Sequence, residues 1–303
     1  GGASEVIITA TKATTSDITL TGTLSTFAQK TTLTARDNIQ ASVNLSVSGA
    51  LIVNADSDCT DVGDLTVDTL THLLSNDNAM TVTSHDVILH GHLGSGSGLM
   101  TIASCAGKTI DLGGVGGTGG DLILSAPEVS RLSSTGGLVV SSTTGVINVF
   151  AVSTAQSLFL TPLVTLDATG AGGDIAMQGA SVWSALTANA AGTFTVGANA
   201  DTTVTTGALS LQSTSTPTIT GTSPFAWTTK SGLSLTRPLS VTADSGTVSI
   251  NSDSDADGTG TFTLGGSSSI TISSSTATLL QITAADMVVP VAITANNCHV
   301  TLI

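Results

Sequence analysis

The residues whose types and spacing suit chemistry are few and mostly acidic. Asp253, Asp255, Asp257 and Gly258 match the opening of a calcium loop, in which alternate carboxylates converge on one hard cation. The twelfth position of that loop requires a bidentate Glu and is Leu264 here, so a solvated acidic turn is the first reading and a calcium site the second. Asp56, Asp58 and Asp61 form a sparser cluster of the same kind. Gly116-Gly-Thr-Gly-Gly-Asp-Leu-Ile-Leu124 has the form of the nonapeptide of calcium-binding β-rolls, but it occurs once, without the stacked copies that complete each ion's shell.

Histidines concentrate in one place, at His85, Asp86, His90 and His92. Residues two apart on a strand face the same way, so His90 and His92 are the candidate pair for a transition metal, against the plainer reading of two exposed imidazoles. Three cysteines, Cys59, Cys105 and Cys298, are the disulfide candidates; an odd number leaves at least one free or available to another chain. Asn44-Leu45-Ser46 is the sole N-glycosylation sequon. Seven Thr-x-Thr triplets, at Thr19/Thr21, Thr32/Thr34, Thr81/Thr83, Thr193/Thr195, Thr203/Thr205, Thr218/Thr220 and Thr261/Thr263, each place an apolar residue between two hydroxyls. Stacked in one file they would order water as an ice-binding face does. Otherwise Thr is simply a favourable residue for exposed strand positions.

The elements that hold these residues are strands. Charged residues make up 9% of the chain, against about 25% in an ordinary soluble domain. Aromatics make up 3%, and there is no Tyr. A surface helix needs Glu, Lys, Arg or Gln opposite its apolar stripe, whereas the polar positions here carry Ser, Thr, Asn, Asp and Gly. Mean hydropathy is +0.41. Even so, the longest apolar run is the seven residues from Met287 to Ile293, broken by Pro290, against the about 18 that a membrane helix requires. Apolar residues alternate with small polar ones from Ile18/Leu20 to Val300/Leu302, separated by turns bearing Gly, Asn or Asp. One helical turn is expected at 69–75, around Leu70, Leu73 and Leu74, and no other helix in the interior. Phe150, Phe159, Trp183, Phe225 and Trp227 stand out as marks of a bulge, a cap or a contact.

Repetition decides between a sandwich, a barrel and a coil. Gly119-Gly-Asp-Leu122 returns as Gly172-Gly-Asp-Ile175 and more loosely at Val62-Gly-Asp-Leu65, and Gly192-Thr-Phe-Thr-Val196 returns as Gly260-Thr-Phe-Thr-Leu264. Loose repetition with variable corners predicts an all-β, single-stranded β-solenoid. At about 20 to 25 residues per coil and a strand spacing of about 4.8 Å, it would make about a dozen turns and a rod about 60 Å long. Residues 1–303 read as one continuous domain, with the stretch from Leu93 to Gly120 as Gly-rich corners and not a hinge.

Stretches such as GTFTVGANADTTVTTGALSLQSTSTPTITGT and GGTGGDLILSAPEVSRLSSTGGLVV resemble the repeat regions of β-helical surface proteins: filamentous-haemagglutinin-type adhesins, autotransporter passengers and virus or phage fibres. The resemblance is one of composition across nearly the whole chain. It implies a right-handed parallel β-helix displayed outside a cell or particle, with itself, and cell-surface or host glycans or proteins, as partners.

Net charge of −14 argues against nucleic acid or an anionic membrane surface as partner. A chain opening at Gly1 without Met or a basic-then-apolar leader reads as a processed or excised piece. A carbohydrate-active β-helix enzyme is the reading from another class, but its chemistry needs clustered carboxylates or a basic residue beside a groove with aromatic platforms. The seven basic residues, Lys12, Lys30, Arg36, Lys108, Arg131, Lys230 and Arg237, are scattered, so no enzyme and no cofactor other than calcium is expected. Neither Val6-Ile7-Ile8 nor residues 287–303 carry the polar cap that closes a solenoid, so both are expected to pair with a neighbouring subunit. Cys298 would lock that contact through Cys59 or Cys105 of the next chain. The function expected is a structural subunit of an extracellular filament, with an adhesin or virion-fibre stalk as the alternative.

Overall fold

In the computed structural model the chain is all-β, 53% strand and 3% helix, and coils as a parallel β-solenoid of about 11 turns. The structure describes residues 5–10, 16–23, 25–60, 62–114, 119–213, 219–243, 246–265, 268–290 and 292–303. No helix among them is long and apolar enough to cross a membrane. Face one is a single 12-stranded sheet from Val6–Ala10 to Asp286–Val288, with parallel pairing throughout. Its strands stack in register, so one inward file runs Thr31, Leu51, Met80, Met100, Leu138, Val164, Leu186, Leu209, Leu233 and Phe262. A second runs Leu33, Val53, Val82, Ile102, Val140, Leu166, Ala188, Leu211, Leu235 and Leu264. Each of these side chains is at most 2% exposed. The period-two alternation of the sequence is the cause: a one-residue slip would turn both files out to water.

Coil length varies because the corners absorb insertions while the files keep register. Thr31 is level with Leu51, a coil of 20 residues, whereas Met100 is level with Leu138, a coil of 38. At the corner entering face one, a buried hydroxyl turns the chain by donating to a later backbone carbonyl: Ser75 to Asn78 at 2.6 Å, Ser95 to Gly98 at 2.7 Å, Ser134 to Gly137 at 2.7 Å and Thr229 to Gly232 at 2.9 Å. Consecutive coils touch backbone to backbone here. A Cβ on Gly98 would lie 2.0 Å from the Asn78 carbonyl oxygen, so only glycine fits.

Faces two and three change character midway. Face two begins as four strands, from Asp17–Leu20 to Val87–Leu89, and face three as five, from Ser25–Phe27 to Leu132–Ser134. A 13-stranded sheet then takes over, opening with Leu122–Leu124. The chain reaches this point out of order: Ile110–Leu112 is laid down first, and Leu122–Leu124 then pairs with the edge of it that faces the amino-terminal coils. Two stacked single-turn helices, α1 (Ala126–Val129) and α2 (Thr154–Ser157), interrupt face three. They correct the expectation of no interior helix. Both carry a capping-box spacing that was legible, Ser125 with Glu128 and Ser153 with Gln156. The expected turn of helix at 69–75 is absent: Leu70 has φ +64° in a tight turn and His72–Leu74 is a strand. In the last coils the corner between faces two and three opens out, and the 14-residue strand Ile270–Thr283 runs through both.

Of the five unusual aromatics, Trp183, Phe225 and Trp227 are core, 0–2% exposed. The Phe225 ring occupies the space above Gly221, where a Cβ would approach to 2.8 Å. Phe159, with its neighbour Leu158, stands in solvent after α2.

Candidate functional site

Most of the acidic groups lie at corners or strand ends, and there carboxylates and corner asparagines accept backbone hydrogen bonds. Asn38 Oδ1 accepts from the Asp64 N–H, Asn44 Oδ1 from His72, Asp77 Oδ1 from Ser97, Asp121 Oδ2 from Thr109, Asp174 Oδ1 from Thr193 and Asp201 Oδ1 from Ala226. These contacts reach between coils and satisfy N–H groups that the corners remove from the ladder. Asp64, Asp121 and Asp174 of the Gly-Asp-apolar repeat all sit at the entry to face two, where Asp121 and Asp174 accept backbone N–H groups and Asp64 meets the His85 ring. The Gly-Thr-Phe-Thr repeat is not a structural one, since Phe194 lies on face two and Phe262 on face one.

The candidate calcium loop is an insertion in the corner that leads into face one. Ser252 Oγ donates to the Gly260 carbonyl at 3.4 Å, as its counterparts do, but across eight positions in place of three. The carboxylates of Asp253, Asp255 and Asp257 approach within 4.8 Å of one another. Asp253 Oδ2 accepts from the Gly258 N–H at 3.3 Å, and Gly258 has φ +83°. Asp257 Oδ1 accepts from both the hydroxyl (2.6 Å) and the N–H (2.9 Å) of Thr259, which hold its pKa below the usual carboxylate value. Lys230 Nζ lies 3.7 Å from Asp255 Oδ2. Asp253 Oδ1 is buried without a protein partner. Three convergent carboxylates suit one hard cation. Leu264 turns into the core at 1% exposure, so the twelfth position supplies no ligand.

His90 and His92 are not brought together as expected. The chain turns at His90–Gly91, after the strand Val87–Leu89 and before His92–Gly96, so period-two reasoning does not apply across the pair. His92 is instead level with His72 in the coil beneath, ring centroids 5.6 Å apart. His85 faces Asp64, Nδ1 to Oδ1 at 3.2 Å. Sequence spacing alone could not find the 72/92 pair, because the coil length between those residues had to be known first.

The second acidic cluster lies in another insertion, closed by a Cys59–Cys105 disulfide within the chain. This corrects the expected bridge from Cys298 to a neighbour's Cys59 or Cys105: both partners are already used, and Cys298 is free. Asp58 is held by Arg36, Nε to Oδ2 at 2.6 Å. Asp56, 1% exposed, accepts from the Thr60 N–H through Oδ1, while Oδ2 has no protein partner. Burial pushes its pKa up to about 6. Asp61 lies outside the described residues, as do Gly116 to Thr118 of the β-roll nonapeptide and Thr218.

Of the other Thr triplets, Thr32/Thr34, Thr81/Thr83 and Thr261/Thr263 are on face one, Thr193/Thr195 on face two, Thr203/Thr205 on the later face three and Thr19/Thr21 on the early face two. They do not form one file. Face one does carry an uncharged outer file, Thr32, Ile52, Thr81, Thr101, Val139, Thr165, Thr187, Ser210, Ser234 and Thr263.

At the junction of the two face-two sheets, side chains replace the backbone ladder. Asp86 Oδ1 accepts from the N–H groups of Val87 and Ile123, each at 2.8 Å. Glu128 Oε1 accepts from the Leu89 N–H at 3.0 Å, and Arg131 donates to the Leu89 carbonyl at 2.9 Å. The chain matches no known protein family, no curated protein and no solved structure.

Proposed function

We propose that the chain is a non-catalytic, load-carrying segment of an extracellular fibre, lengthened by parallel strand addition at the end of its coil. The observation that carries this reading is the uninterrupted 12-stranded ladder of face one, whose inward files keep register although coil length nearly doubles in the middle. Such a ladder is a rod of roughly 50 Å at about 4.8 Å per coil. The internal disulfide supports an oxidising compartment. The acidic and basic groups support the structural role too: Lys30 pairs with Glu5, Arg36 with Asp58, Lys108 with Asp121 and Lys230 with Asp255, each at a different corner.

The segment 287–303 forms the last coil, and Ile293–Leu302 pairs along one edge with Ile270–Thr283. Among the described residues nothing pairs with its other edge, where Val300, Leu302 and Ile303 are 41%, 54% and 63% exposed. An edge of this kind accepts a further parallel strand. Sedimentation velocity over a concentration series tests the reading: the 303-residue chain is expected to form end-to-end species, and Val300→Lys with Leu302→Lys to abolish them. Association undiminished in that variant, or none in the unaltered chain, would refute it.

A further inference from the structure

We propose that His72 and His92 form a site for a divalent transition metal of the Zn²⁺, Ni²⁺ and Cu²⁺ class, linking two successive coils of face three. The two residues are level in adjacent parallel strands, and their rings meet at 5.6 Å between centroids with planes at 61°. A metal about 2.1 Å from one nitrogen of each ring would sit ~3.2 Å from each ring centre, which at a tetrahedral angle places the centroids ~5.2 Å apart. The observed pair is within a small side-chain rotation of that arrangement.

The surroundings prepare His92 for the role. Gly94 leaves open the space beside its ring: a Cβ there would lie 3.2 Å from both His92 Nε2 and Ser133 Oγ. Ser133 Oγ engages His92 Nε2 at 2.9 Å, which leaves Nδ1 for the metal and orients the ring as outer partners of metal-bound histidines do. The next residue in the file, Arg131, directs its guanidinium to the Leu89 carbonyl across the corner. His72 is exposed, so an ion reaches the pair from solvent, and water fills its remaining positions.

Equilibrium dialysis against NiCl₂ or ZnCl₂ and the electron paramagnetic resonance of added Cu²⁺ test the site in the full chain. The expected result is one saturable ion with nitrogen hyperfine structure from two imidazoles. His72→Ala and His92→Ala should each lower affinity about tenfold or more, while His90→Ala leaves it unchanged. His72→Ala removes an exposed side chain, so its fold, checked by circular dichroism, is not at issue. Absence of saturable binding up to millimolar metal, unaltered affinity in His72→Ala, or an equal loss in His90→Ala would overturn the proposal.

Discussion

Asp56 shows how a single residue in this fold is governed by where the corner places it. Its carboxyl is buried and its pKa is raised to about 6 from an ordinary 3.8. A raised folded-state value means that the native chain binds the proton more tightly than the unfolded chain. Its contribution to stability is therefore complete below pH 3.8 and is lost as pH rises through about 6. Asp56→Asn keeps an acceptor for Thr60 and cannot ionise, so it should be more stable than the unaltered chain above pH 6, by about 2 to 3 kcal/mol, and nearly equal to it near pH 4. Urea unfolding of both proteins between pH 4 and 8 checks this, and a difference independent of pH would count against it. At this scale the sequence was half legible. The Asp253 cluster and the Gly-Asp-apolar entries to face two could be read from spacing, whereas the partner of His92 could not, because it belongs to another coil, and neither could the burial of Asp56.

Among the elements, the junction in face two is where local chemistry compensates for a broken ladder. Glu128 both closes the cap of α1 through Ser125 and accepts from the Leu89 N–H of a neighbouring strand. Glu128→Ala should destabilise the chain by about 1 to 3 kcal/mol, because it strands a buried N–H. Ser133→Ala, on the face-three strand nearby, leaves those bonds intact and should cost less; equal losses in chemical denaturation would remove the special role of Glu128. The disulfide staples two corner insertions 46 residues apart. Replacing Cys59 and Cys105 by Ser should cost up to about 4 kcal/mol. Mass spectrometry of the alkylated, unreduced chain should find one reactive thiol, at Cys298. Alternation identified the strands with little ambiguity, since most inward residues are aliphatic. It did not reveal that Leu122–Leu124 falls behind Ile110–Leu112, because parallel neighbours with interchangeable Leu and Ile ladders carry no signal of stacking order.

For the whole molecule, the coil was legible because Val, Leu and Ile recur at inward positions while Gly, Ser and Asp recur at corners, and parallel stacking is the arrangement in which both patterns repeat. What changes along the rod is the cross-section: three separate faces at the start become one wide strand opposite face one at the end. Face one alone is continuous, so in the proposed fibre it is the element that would carry tension along the coil. In the proposed fibre a further strand adds at the edge of Ile293–Leu302 that has no partner among the described residues. Cryo-electron microscopy of the concentrated chain tests this most directly, because strands perpendicular to a rod give a layer line at about 4.8 Å along the rod axis. Unbranched rods with that reflection on the meridian, lengthened in steps of roughly 50 Å, are predicted. Compact particles, or filaments with the reflection across the axis, would contradict the account.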